Sequence, residues 1–285
     1  MDLSSNKPRP EYGLTFVVGA TGKTGSRVAE KLTTKGVPVR LGSRSATPSF
    51  DWLRESSWDS CLKDVENVYI SYSGDLAVPD ASDTIQAFTR KAKRHGVKRA
   101  VLLTGRGEDE ALSSELALQN SGLTWTIVRA AWFNQNFLEG AFADLVEAGQ
   151  ITLPAGSTPE PFVDANDIAD VAVAALTESG HSGQIYEVTG PRLMTFADVA
   201  FELSAAIGRE IQFLDVPHDT FINAVEDSGA PHAVLWLLDY LFTTVLDGRN
   251  AYLADGVERA LGRPPKDFSE FASEFAVSRL LGEVA

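Results

Sequence analysis

The stretch Leu14-Thr15-Phe16-Val17-Val18-Gly19-Ala20-Thr21-Gly22-Lys23-Thr24-Gly25 decides how the rest of the chain is read. Its first five residues are apolar or β-branched, the composition of a short buried strand. Gly19, Gly22 and Gly25 then follow in the spacing G-x-x-G-x-x-G. Beyond them Val28, Ala29 and Leu32 share one face of a helix expected over 26–35, which Gly36 closes. Strand, glycine turn and helix in this order make a cradle for a pyrophosphate. The first glycine allows the tight turn, the second lets the backbone approach the phosphates, and the third lets helix and strand pack closely. Unpaired helix N–H groups and the positive end of the helix dipole face the anion. Thr21, Lys23 and Thr24 sit in the same turn and join the three glycines as candidate cofactor-binding residues. The spacing is not G-x-x-x-x-G-K-[ST], so Lys23 is not a Walker lysine.

Outward from this turn the alternation continues. Strands are expected over 37–41, 67–71, 99–103 and 124–128, with helices over 81–95 and 110–120, and Gly96 and Gly122 stand where helices should stop. Repeated strand–helix units imply a parallel sheet covered on both faces, and a doubly wound α/β fold is the economical solution. Past Gly140 the order loosens. Strands are expected over 151–153 and 185–188, and helices over 165–178, 196–207, 217–227 and 230–246. The chain therefore divides into a flexible tail (1–12), a dinucleotide-binding core (13–150), and a mixed segment (151–285) that completes the core and forms a smaller, helix-rich substrate lobe.

Composition narrows the partners. With 285 residues, 44 % hydrophobic and 22 % charged, the chain is long enough for one large core. Its 25 basic and 39 acidic residues give a net charge of −14, which opposes binding to nucleic acid or an anionic membrane. Cys61 is the only cysteine, which removes an intrachain disulfide and a cysteine zinc cage, and the four histidines lack metal-site spacing. No metal is expected. The N-terminus reads as no secretory signal, and the most apolar window, 233–246, is interrupted by Asp239 and too short to span a bilayer. A cytoplasmic monomer or homodimer with a small-molecule substrate is the resulting expectation.

The second strand bears on which dinucleotide binds. An NAD site expects an acidic residue at that strand's tip, to hold the ribose hydroxyls. Here the sequence is Val39-Arg40-Leu41-Gly42-Ser43-Arg44, with no carboxylate. Ser43 and Arg44 suit a 2′-phosphate instead, which favours NADP, with NAD as the alternative. The Tyr-x-x-x-Lys dyad of short-chain dehydrogenases does not occur. Four residues after the six tyrosines stand Phe16, Ser73, Leu76, Gly190, Thr244 and Gly256.

Three segments together carry a family resemblance: the glycine turn with Val39–Arg44, Ser121-Gly122-Leu123-Thr124-Trp125-Thr126-Ile127-Val128-Arg129 running on to Trp132-Phe133-Asn134-Gln135-Asn136-Phe137, and Val163-Asp164-Ala165-Asn166-Asp167-Ile168-Ala169. Over residues 13–209 the chain resembles the NmrA-like group of atypical short-chain dehydrogenases, which are Rossmann-type NAD(P)-binding proteins. That resemblance implies quinone, dye or aromatic-tailoring reductases, or regulators that bind the dinucleotide without turnover. It also places the loops after Ser71, Leu103 and Arg129 around the nicotinamide. Ser71 and Thr104 are then cofactor contacts, and Asp51 meets the adenine side. Tyr72, Thr104 and Asn134 become candidates for holding or protonating a substrate oxygen, with Arg106, Asn136, Trp132, Phe133, Phe162 and Trp236 as pocket walls suited to a flat aromatic ring. Where some reductases of the group carry a catalytic lysine, this chain has Glu115. The leading expectation is an NADP-preferring oxidoreductase of an aromatic carbonyl or quinone, with a possible place in aromatic natural-product tailoring. The rival is a redox sensor that binds NAD(P) and acts through a protein partner.

Overall fold

A computed structural model describes residues 12–140 and 142–281. The tail expected over 1–12 lies, apart from Tyr12, outside the described residues.

In chain order the elements are β1 (Thr15–Val18), α1 (Lys23–Thr34), β2 (Val39–Gly42), α2 (Trp58–Leu62), β3 (Asn67–Ile70), α3 (Ala81–Arg94), β4 (Arg99–Gly105), α4 (Leu112–Gln119) and β5 (Thr124–Ala130). There follow α5 (Ala143–Ala148), β6 (Gln150–Leu153), α6 (Ala165–Thr177), β7 (Gln184–Val188), α7 (Phe196–Ile207), β8 (Gln212–Asp215), α8 (His218–Asp227), α9 (His232–Tyr240), α10 (Gly256–Leu261) and α11 (Phe268–Leu281). Six strands form one sheet in the order β2-β1-β3-β4-β5-β7, and every pairing is parallel. This is the doubly wound α/β sheet. Strand order reverses between β1 and β3, and an open α/β sheet binds its ligand in the crevice beyond such a reversal.

Alternation along the strands explains the two covered faces. Phe16 and Val18 of β1, with Val68, Ile70, Ala100 and Leu102, face a core shared with α2 and α3. Val17, Tyr69, Val101 and Val128 point the other way, onto α1 and α6. A third core belongs to the C-terminal half. There Phe137, Phe142, Phe196, Phe268, Phe271 and Phe275 pack beneath the small parallel pair β6–β8, which lies outside the main sheet.

Several boundaries differ from those expected. β4 and β5 each run two residues further, to Gly105 and Ala130. The helix expected from residue 110 begins as a 3-10 turn at Asp109–Ala111, and α4 starts only at Leu112. The helix expected over 230–246 stops at Tyr240 and widens into a π turn over Leu241–Val245, where Leu246 N–H donates to the Leu241 carbonyl at 2.9 Å. Tertiary packing, not propensity, sets these ends.

Candidate active site

The glycine turn leaves β1 and enters α1 without a break. Gly19 has φ +75°, a left-handed conformation that favours glycine, and a Cβ there would stand 3.1 Å from the Ser71 Cβ beyond β3. A Cβ on Gly25 would collide with the Gly19 carbonyl, so the helix sits against the turn only because that residue is glycine. Gly22 caps α1 and offers no side-chain hydrogen bond. The first-turn N–H groups of Lys23 and Thr24 have no acceptor among the described residues. This is a cradle shaped for an anion, and it fits a dinucleotide pyrophosphate.

The tip of β2 is bonded to the same turn. Gly19 and Ala20 N–H both donate to the Gly42 carbonyl, at 3.0 and 3.2 Å, which sets Ser43 and Arg44 beside the cradle. The Ser43 and Ser45 hydroxyls stand 3.1 Å apart, and Arg44 is exposed with no ion pair among the described residues. Asp51 is folded into its own loop instead. One of its carboxylate oxygens accepts the Leu53 N–H at 3.0 Å, and its carbonyl accepts the Trp58 indole N–H at 2.9 Å.

Beyond the C-terminal ends of β3, β4 and β5 opens a cleft of about 480 Å³. Lys23 and Thr24 line it from α1, next to Ser71 and Tyr72 from the β3 exit. Thr104, Arg106, Trp132, Phe133 and Asn136 face it as expected. Burial of Lys23 lowers its ammonium pKa, an effect that Glu139 opposes. The Tyr72 ring packs 5.0 Å from the Trp52 ring, which holds it at the mouth.

Five expectations are corrected. The Thr104 hydroxyl donates to Glu115 at 3.0 Å in a buried setting, so it is tied beneath the cleft and is not a free proton donor. Arg106 is consumed by structure: its guanidinium donates to Glu187, to the Asn250 carbonyl and to the Tyr252 carbonyl, and lies 3.9 Å over the Tyr252 ring. Phe162 belongs to the third core and not to the cleft wall. Trp236 turns away to stack on Tyr240 at 5.4 Å. Asn134 is fully buried with its amide unpartnered, and it too lies outside the cleft lining.

Glu115 has become structural. It grips Arg129 in two hydrogen bonds, of 2.8 and 2.6 Å, and this ion pair runs on through Arg129 to Glu187 at 3.5 Å. The hydrogen bonds that Arg129 donates to Glu115 raise its already high pKa. A charged girder therefore lies under the floor of the cleft.

The lining residues that sequence reasoning missed include Asp75, Glu108, Leu237, Leu241 and Val245. The last three recur every four residues, a signal that was legible. The acidic pair was not, because Asp75 and Glu108 are far apart in sequence and meet only through the fold.

A family model described as NAD(P)H-binding matches residues 19–179. The chain is 32 % identical to an NAD(P)H azoreductase from Xenophilus azovorans, over 93 % of this chain and 99 % of the relative. Its fold is similar to that of an NADPH-dependent quinone oxidoreductase from Escherichia coli, with TM-score 0.76, 21 % identity, and 92 % and 99 % of the two chains covered. It is also similar in fold to NmrA, a negative transcriptional regulator solved with NADP, with TM-score 0.72, 16 % identity, and 96 % and 98 % covered. The resemblance read from the three sequence segments agrees with these findings.

Proposed function

This chain belongs to the NAD(P)H-binding family, and from that premise we propose that it is an NAD(P)H-dependent oxidoreductase, preferring NADP, that reduces a flat aromatic acceptor of quinone, carbonyl or azo type. The single observation that carries the reading is the continuity of the glycine cradle with an aromatic-walled cleft: Lys23 and Thr24 belong to both. An azoreductase relative, alike over 93 % of this chain, supports the choice of acceptor.

The turn from Gly19 to Gly25 would hold the pyrophosphate, with Lys23 adding a positive charge. Arg44 and Ser43, fastened beside the turn through Gly42, would hold a 2′-phosphate. When bound, the reduced nicotinamide supplies a hydride. Trp132 and Phe133 offer ring faces and edges to a planar acceptor, and Leu237, Leu241 and Val245 close the apolar side and exclude water. Tyr72 offers a phenol hydroxyl to hold the acceptor oxygen. Residues 13–150 supply the cofactor cradle and, through Tyr72, Trp132 and Phe133, one side of the acceptor site, while residues 151–285 close its other side through α9 and its π turn.

The test is steady-state NADPH oxidation by the purified protein against a panel of quinones, polycyclic ketones, azo dyes and triphenylmethane dyes. Turnover with at least one flat aromatic acceptor, faster with NADPH than with NADH, is expected. Tight NADPH binding without turnover by any acceptor would favour the redox-sensor reading.

A further inference from the structure

The cleft contains a pair of carboxyl groups that nothing above has used. Glu108 and Asp75 both face it, one from the loop after β4 and one from the loop after β3. The Glu108 carboxyl lies directly against the exit of β4, where a Cβ on Gly105 would fall inside it. The Asp75 carboxyl lines the same cleft, and its like charge opposes ionisation of Glu108. Two carboxyls facing one confined cleft disfavour each other's ionisation, which favours a proton on one of them. Asp75 already accepts the Ala77 N–H at 2.8 Å through one oxygen.

Among the described residues no cation neutralises the pair. Arg106, two residues before Glu108, is spent on Glu187 and two carbonyls. Arg249, packed on the same loop, is held by Asp109 and Asp247. Glu110 and Tyr240 bond each other at this end and add further negative character, and Lys23 is the one lysine lining the cleft. Burial, with the neighbouring Asp75 next in size, pushes the Glu108 carboxyl well above its ordinary range. The result is a carboxylic acid kept protonated beside apolar walls, the environment in which a carboxyl serves as a general acid.

We propose that Glu108, facing the cleft together with Asp75, is the proton donor of the reduction. The proposal rests on the reductase reading above and supplies the acid that the missing Tyr-x-x-x-Lys dyad leaves open. With a carbonyl acceptor, hydride forms the new C–H bond while the C=O π bond breaks, and the Glu108 proton forms the O–H bond. With a quinone, one hydride and this one proton make the hydroquinone. Glu108 is left as a carboxylate and takes its next proton from water at the mouth of the cleft. Tyr72 orients the acceptor oxygen and Glu108 protonates it.

Two measurements test this. In the cofactor-free protein, pH-difference infrared spectroscopy should show a protonated carboxyl band persisting at pH values where ordinary carboxylic acids are ionised. Glu108→Gln should remove a distinct part of that band's intensity, and Asp75→Asn should shift the titration of that part downward. In turnover, Glu108→Gln should keep NADPH affinity, read by fluorescence titration, and lose about a hundredfold or more in kcat. The wild-type kcat should fall as pH rises through the Glu108 titration. A Glu108→Gln variant with near-wild-type kcat and an unchanged pH profile would overturn the proposal, as would a protonated-carboxyl band whose intensity and titration the substitution leaves unchanged. A wild type that shows the band, binds NADPH and reduces no acceptor would overturn the reductase reading, and the donor role with it. The surviving band would mark that as a separate failure.

Discussion

Glu115→Ala isolates the girder beneath the cleft. The Glu115 side chain is 3 % exposed and accepts three hydrogen bonds: two from Arg129, at 2.8 and 2.6 Å, and one from Thr104 at 3.0 Å. Alanine removes all three and leaves a guanidinium, 24 % exposed, without its main partner. Breaking one side of a buried pair costs about 3–5 kcal/mol. Here Glu187, 3.5 Å from Arg129, stays in place, so the lower end applies. A loss of about 3 kcal/mol in a chain of this size lowers Tm by about 6–12 °C. Glu115→Gln, which keeps the shape and one or two of the bonds, should fall between parent and alanine. Differential scanning calorimetry reads both, and NADPH titration should show affinity retained in the folded variants. A Glu115→Ala protein melting within about 1 °C of the parent would refute the claim that this ion pair carries the floor of the cleft.

Other expectations follow from the same geometry. Gly22→Val places a branched side chain where the pyrophosphate must approach, so calorimetry should find NADPH binding lost in a folded protein. Arg44→Ala should weaken NADPH by about 1.5–3 kcal/mol, roughly ten- to a hundredfold, and leave NADH nearly unchanged; equal losses would remove Arg44 from the 2′-phosphate site. Tyr72→Phe should preserve cofactor binding and lower kcat about tenfold, the loss of one hydrogen bond worth ~1.4 kcal/mol at the transition state. Glu160 is fully buried with both carboxylate oxygens unpartnered, and burial pushes its pKa up to about 7, against the pull of Arg106 and with the push of Asp247. A raised carboxyl pKa favours the folded state at low pH, and that contribution fades as pH rises through about 7. On the order of 3 kcal/mol is at stake. Glu160→Gln should therefore flatten the decline of Tm between weakly acidic and weakly alkaline pH, and an unchanged slope would contradict this.

The nucleotide half was legible because its signals are local. Val28, Ala29 and Leu32 sit on one helical face, and Gly19 and Gly25 fill positions where a Cβ strains or collides. Sheet order could not be read so directly, but strand–helix alternation left few alternatives. The substrate half was harder for a physical reason: its aromatic residues pack on one another. Phe162 and Trp236 look like pocket walls by type, yet Phe162 sits against Phe137, Phe196 and Phe268, and Trp236 against Tyr240. The π turn after Tyr240 bears on α9 as well, and the cleft takes the Leu237, Leu241, Val245 face. Phe268, Phe271, Ala272 and Phe275 recur at helical spacing in α11, a signal present in the sequence. Thr104 and Arg106 line the cleft, but their bonds to Glu115 and Glu187 depend on partners 11 and 81 residues away. No local pattern announces such a partner.

The central claim, that the glycine cradle and the aromatic cleft form one site for hydride transfer, is tested most directly by a single-turnover experiment. Protein loaded with stoichiometric NADPH, carrying either hydride or deuteride at the reactive carbon, is mixed with the quinone menadione in excess. The account predicts oxidation of the bound cofactor in one phase, slower with deuteride, and no oxidation in the Gly22→Val variant. NADPH that stays bound and unoxidised in the wild type, with menadione and with azo and triphenylmethane dyes alike, would contradict it.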